Sequence, residues 1–101
     1  MRLLIFNRVI VVEMVPKDDP DIFEATGCYI PDRLTIKIRE NLPAQIYRET
    51  LLHEVWHVVV EAMGLHNESE SAEEQLVCLN TLATVDIFRN NPDLVEVITG
   101  G

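Results

Sequence analysis

The sequence PAQIYRETLLHEVWHVVVEAMG, residues 43–64, decides the fold. Proline is tolerated in the first turn of a helix, and Gly64 suits a left-handed residue that ends one, so this stretch predicts a helix from about Pro43 to Met63. The β-branched run at 58–60 opposes a helix by roughly a few tenths of a kcal/mol per residue. Burial of about 1.5–3 kcal/mol for each such side chain outweighs that cost. Apolar residues lie all around the cylinder, which predicts a helix buried on most sides.

Two histidines lie at the centre of this stretch, His53 and His57, with Glu54 beside the first. On a helix, a spacing of four places both rings on one face with Cβ atoms about 6 Å apart, so both reach one ion at about 2.0–2.1 Å. On a strand they would lie about 13 Å apart. The pattern H-E-x-x-H is typical of zinc hydrolases, in which the glutamate is the general base. The alternative is a pair of core histidines, which would need several buried hydrogen-bond partners.

A catalytic zinc ion needs a third protein ligand and one open position for water. The acidic segment after Gly64 supplies the candidates, which are Glu68, Glu70, Glu73 and Glu74, with His66 as an outside candidate. The metzincin extension would require glycine at position 60 and histidine at position 63, where this chain has Val60 and Met63. Spacing alone leaves the choice among the glutamates open.

The segments on either side of this helix predict the rest of the fold. Before it, β-rich runs predict a small antiparallel sheet with strands at Arg2–Phe6 and Val9–Val15, a turn at Asn7-Arg8, and extended segments at 29–30 and 34–38 around a turn at 31–33. After it, a capping box predicts a second helix from near Ser71 to Asn90, where Pro92 stops it, and residues 94–98 form a short helix or strand. A sheet followed by two main helices is an α+β fold, in a single domain over residues 1–101.

Charge and composition disfavour some classes of binding partner and indicate the cellular compartment. The net charge is −9, which disfavours binding to nucleic acid or to an anionic membrane surface. Cys28 and Cys78 form no Cys-x-x-Cys pair, so the sequence is typical of a reduced intracellular protein in which both are small buried hydrophobes. The apolar start of the chain is broken at Asn7-Arg8 before a signal-peptide core forms, and no apolar run reaches 18 residues. We therefore expect a cytoplasmic protein.

Several features together resemble a known family. They are the Gly27-Cys28-Tyr29 strand, a strand with Ile36, the run Glu49-Thr50-Leu51-Leu52-His53-Glu54, Glu74-x-x-Val77 opening a second helix, and Asn91-Pro92-x-Leu94 at its end. Over roughly residues 1–95 the chain resembles the small HExxH proteins of phages, prophages and mobile elements, which are minimal zincins with a glutamate as third ligand. It is more distantly similar to the mobile-element metallopeptidases that cleave repressors.

The resemblance implies a zinc metallopeptidase that acts on a peptide or protein. It makes Glu74 the third ligand beside His53 and His57, with Glu73 one residue out of register, and Glu54 the general base. An edge strand would align the peptide, while Tyr29 has either a packing role or stabilises the oxyanion. Two alternatives stay open. One is a noncatalytic zinc-containing binding or structural protein of phage or mobile-element origin, and the other is a hydrolase that acts on an amide or small molecule other than a peptide.

Overall fold

The structure, a computed structural model, describes residues 1–64, 80 and 83–100. Four strands precede three helices, so the predicted α+β fold is confirmed. The elements are β1 (Arg2–Ile5), β2 (Arg8–Val15), β3 (Gly27–Ile30), β4 (Thr35–Arg39), α1 (Ala44–Met63), α2 (helical over 83–90) and α3 (Pro92–Thr99). None of the described helices combines the length and apolar character needed to cross a bilayer.

The four strands form one sheet in the order β1-β2-β4-β3, which places β3 at an edge of the described sheet. β1 pairs with β2, and β3 with β4, in antiparallel directions, but β2 and β4 are parallel, with Val12 opposite Ile36. The prediction of a wholly antiparallel sheet is therefore wrong. The alternation of apolar residues specifies which face of a strand is buried, and it carries no information on the direction of the neighbouring strand.

Both predicted turns exist, one of them shifted. The first hairpin turns at Phe6 and Asn7, with φ of 49° and 65°, and Ile5 pairs with Arg8. Two consecutive left-handed residues give the turn type whose twist matches a two-residue hairpin, so the turn lies one residue before the predicted position. The second turn is a short 3₁₀ helix at Pro31–Arg33 that ends on left-handed Leu34, as the proline predicted.

Helix α1 follows Pro43 and ends at Gly64, whose φ of 61° is the left-handed conformation predicted for its end. Its buried residues occupy one side, and they are Thr50, Leu51, Glu54, Val55, Val58 and Val59. The opposite side, which includes His53 and His57, is exposed. The expectation of a helix buried on most sides is therefore wrong, because the sheet covers α1 from one direction.

One core joins the sheet to the three helices. Its fully buried members are Leu3, Ile5, Ile10, Ile36, Ile38, Leu51, Val55, Val58, Val59, Ala83, Ile87 and Leu94. Helix α2 ends at Asn90, as predicted, whereas its predicted start near Ser71 lies outside the described residues. The segment at 94–98 is helical and buries Leu94. Helix α3 is thus the short helix that was one of the two structures predicted for residues 94–98.

The face of the sheet away from α1 is covered by the loop that precedes β3. The Lys37 ammonium, on β4, contacts Asp19 at 3.2 Å and Asp21 at 2.6 Å, and its side chain is only 12% exposed. The hydrogen bond from Lys37 lowers the pKa of the Asp21 carboxyl, and the same bond raises the pKa of Lys37. This ion-pair cluster fixes the loop that leads directly into β3.

Asn91, between α2 and α3, forms hydrogen bonds with the backbone at the outer edge of β1. Its side-chain oxygen accepts a hydrogen bond from the Leu4 N–H at 2.8 Å, and its amide donates to the Leu4 carbonyl at 2.9 Å and the Ile87 carbonyl at 2.7 Å. The residue is 6% exposed. A side-chain amide therefore takes the place of a neighbouring strand and attaches the helices to the sheet.

We predict that Asn91→Ala lowers the free energy of unfolding by about 1–3 kcal/mol, because the Leu4 backbone groups lose their partner at a buried position. Urea denaturation measures the change. The control is Asn90→Ala, since the exposed Asn90 bonds only to Asp86 on its own helix. Equal effects of the two substitutions would show that Asn91 does not join the helices to β1.

Candidate metal centre

The two histidines of α1 converge on one point. The Nε2 atoms of His53 and His57 are 3.0 Å apart, and the rings meet edge to face with centroids 4.7 Å apart. Two nitrogen ligands at 2.0–2.1 Å from a tetrahedral zinc ion are separated by about 3.3 Å. The helical spacing inferred from the sequence therefore brings the two imidazole nitrogens together at nearly the separation that one ion needs.

Glu54 lies between this pair and the core. It is about 100° around the helix from His53, which turns its side chain towards β3, and it is only 6% exposed. The described residues offer its carboxylate no hydrogen-bond donor. All eight lysines and arginines of the chain are among them, since 65–82 and 101 contain none, and none forms an ion pair with Glu54. A buried carboxylate in this position is costly unless a cation or a donor accompanies it.

A cavity of about 520 Å³ opens between α1 and the edge strand β3. It is lined by Gly27, Cys28, Tyr29, Pro31, His53, Glu54, His57, Val60 and Glu61. The site is therefore a cleft at the rim of the sheet. Burial raises the pKa of the Cys28 thiol, and the negative charge of Glu54 raises it further, so Cys28 stays a thiol.

The far end of the cavity carries a polar cluster. Arg8, on β2, forms an ion pair with Glu61, which lies one helical turn beyond His57. The Tyr29 hydroxyl donates to the same carboxylate at 3.5 Å, and its ring packs against the core. Burial raises the pKa of Tyr29, so the hydroxyl keeps its proton near neutral pH. Arg8 and Glu61 carry no signal in the sequence, because only the sheet register brings β2 close to the end of α1.

Gly27 allows α1 to approach β3 closely. A Cβ atom there would lie 2.8 Å from the Thr50 methyl and 2.9 Å from the Lys37 carbonyl oxygen, with the Glu54 Cγ at 3.7 Å. Beside it, the Thr50 hydroxyl donates to that of Thr26 at 3.0 Å. A glycine in a strand is a sequence signal for close backbone approach, and here the approaching element is the helix that carries the histidines.

The third ligand is not decided by this geometry. Glu74 and its rivals Glu68, Glu70, Glu73 and His66 lie outside the described residues, as does Cys78. Within 1–64, 80 and 83–100, no group of three potential ligands is placed to hold a metal ion. The donors that are described still fit zinc, because two imidazole nitrogens converge beside a buried carboxylate.

Comparisons of the chain with protein-family models, curated proteins and solved structures found no match.

We predict that Gly27→Ala destabilises the protein by about 1–3 kcal/mol, the usual effect of overpacking, because α1 must move away from β3. Thermal or urea unfolding measures the loss. Adding Thr50→Ser removes the methyl group at 2.8 Å and keeps the hydroxyl, so it should restore part of the stability. If Thr50→Ser restores no stability, the Thr50 methyl is not the group through which α1 contacts position 27.

Proposed function

We propose that this chain is a zinc-dependent metallopeptidase. The observation that carries the proposal is the convergence of two imidazole nitrogens, 3.0 Å apart, beside a carboxylate that is 6% exposed and has no lysine or arginine partner. A purely structural histidine pair would not explain why a glutamate is buried next to it. A divalent cation held by the histidines would compensate that charge.

The proposed zinc ligands are His53, His57 and Glu74. The first two are supported by their geometry, and the third by the resemblance to minimal zincins of the glutamate-ligand type. When bound, zinc polarises the scissile carbonyl and lowers the pKa of a coordinated water to about 7.

Glu54 is the proposed general base. Glu54 lines the same cavity as the two histidines and lies about 100° around the helix from His53. In this position it accepts a proton from the attacking water and later delivers it to the leaving amine. Its place in the wall of the cavity, beside the two histidines, supports this role.

The edge of β3 is the proposed guide for the peptide. The Arg39 N–H donates to the Thr26 carbonyl at 2.8 Å, so the alternation of an antiparallel ladder directs the Cys28 and Ile30 backbone groups towards β4. The N–H and C=O groups of Gly27 and Tyr29 then point to the open edge. An extended peptide that pairs with these groups lies along the cavity, across the histidine pair.

We predict that the purified protein binds about one zinc ion per chain and that chelation lowers its melting temperature. An ion bound only by the folded state stabilises it by mass action, here by several kcal/mol at saturating zinc. His53→Ala, His57→Ala and Glu74→Ala should each weaken zinc binding strongly, as measured by metal analysis and by titration.

Glu70→Ala and Glu73→Ala are the matched controls and should have mild effects. A large loss at Glu73, Glu70 or His66 would transfer the third ligand to that residue. If zinc leaves the melting temperature of metal-free protein unchanged, the metal site itself is wrong.

We predict that Glu54→Gln keeps zinc and folds at least as stably as the parent, because the substitution keeps the shape and removes a buried charge. Hydrolysis of a peptide substrate found by library screening should fall by about 10²–10⁴-fold, the usual contribution of a positioned base. Turnover at the parental rate would refute the base role and leave the noncatalytic zinc-binding protein as the better description.

A further inference from the structure

Four side chains that can bind a metal ion or carry a charge lie along α1 at a spacing of four residues. They are Glu49, His53, His57 and Glu61. This spacing keeps successive side chains on neighbouring positions of one helix face. The row is about 18 Å long, at 1.5 Å per residue, and the histidine pair lies at its centre. An extended peptide of about five residues covers the same length.

Two adjoining cavities follow this row. The second cavity, of about 280 Å³, is lined by Thr26, Glu49, Thr50, His53 and Glu54. It shares His53 and Glu54 with the larger cavity that ends at Glu61. The cleft between α1 and β3 therefore continues on both sides of the histidine pair, with a glutamate at each end.

The two ends differ in charge. Glu61 is neutralised by Arg8 and also accepts the Tyr29 hydroxyl. Glu49 is exposed, and the hydrogen bond that the structure gives it comes from the neutral amide of Gln45, at 3.2 Å. No lysine or arginine of the chain forms an ion pair with Glu49, since all eight are among the described residues and the ion pairs involve only Arg8, Arg33 and Lys37.

The floor of the second cavity adds a buried acidic group. Glu54 is only 6% exposed, and it lines both this cavity and the larger one. It receives no hydrogen bond from the described residues. The Glu49 end of the cleft is thus acidic at its rim and at its floor. A cationic group that enters it gains a charge-assisted hydrogen bond without having to displace a resident cation.

We propose that the second cavity, which Glu49 lines, is a subsite for a cationic nitrogen of the bound peptide. The subsite is a specificity element, and the proposal rests on the proposed peptidase function. The nitrogen belongs either to a lysine or arginine side chain or to the amino terminus of the peptide. The Glu61 end, already occupied by Arg8, does not select a cation. The net charge of −9 further favours the approach of basic peptides.

The test measures binding by stopped-flow fluorescence anisotropy to the zinc-loaded parent protein before turnover, so that Glu54 keeps its charge at the floor of the cavity. The probes are three pools of six-residue peptides labelled at the carboxyl terminus. One pool is acetylated and neutral, the second is acetylated with lysine at one position, and the third is neutral with a free amino terminus. We expect at least one cationic pool to bind about tenfold more tightly than the neutral pool, and the better cationic pool identifies the nitrogen.

Adding Glu49→Gln should reduce that preference to less than about twofold, and adding Glu49→Lys should remove it. The matched control is Glu13→Gln, which makes the same change in net charge at an exposed position on the face of the sheet away from α1 and should leave the preference intact. Melting temperatures verify that each variant is folded.

Equal binding of the three pools, no binding by any pool, or an equal loss with Glu13→Gln would overturn the subsite. Failure of the peptidase proposal is recognised separately, from the absence of hydrolysis by the parent protein. If the preference for cationic peptides depends on Glu49 but the parent protein hydrolyses no peptide, the subsite stands and belongs to a peptide-binding protein.

Discussion

The close contact between α1 and the edge strand β3 is the constraint on which the rest of the site depends. Gly27 leaves no side chain between the two elements, and the Thr50–Thr26 hydrogen bond fixes their relative position. This contact buries Glu54 and leaves the histidines one helical step further out, at the rim of the cleft. A larger residue at position 27 would separate the helix that carries the chemical groups from the strand that forms the opposite wall.

Three glutamates of α1 show how one residue type acquires different surroundings. Glu61 is paired with Arg8, Glu54 is buried without a lysine or arginine partner, and Glu49 is exposed at the rim of a cavity. The chain has only eight lysines and arginines against seventeen acidic residues, and two of the eight, Lys37 and Arg8, hold the β3 loop and the end of α1. The shortage of cations leaves the central cleft negative, which suits a site for a metal ion and a basic ligand.

The proposed chemistry uses a small part of the fold. One helix supplies two zinc ligands and the base, and one edge strand supplies backbone groups for a peptide, while the remaining strands and helices form the core that holds these two elements. Asn91 contributes at a distance, because it attaches the helical half of the molecule to β1.

The sequence by itself determined the helix with its histidine pair, because periodicity, the proline at its start and the glycine at its end all act within a few residues. It also determined the two turns and the strands β1, β2 and β4 to within one residue, whereas β3 begins at Gly27, two residues before the predicted extended segment. Only the tertiary structure decided that β2 and β4 are parallel, that the buried residues of α1 lie on one side, and that Arg8 neutralises Glu61 while no lysine or arginine pairs with Glu49. These features depend on the path of the chain between distant segments, and no local pattern of residues specifies that path.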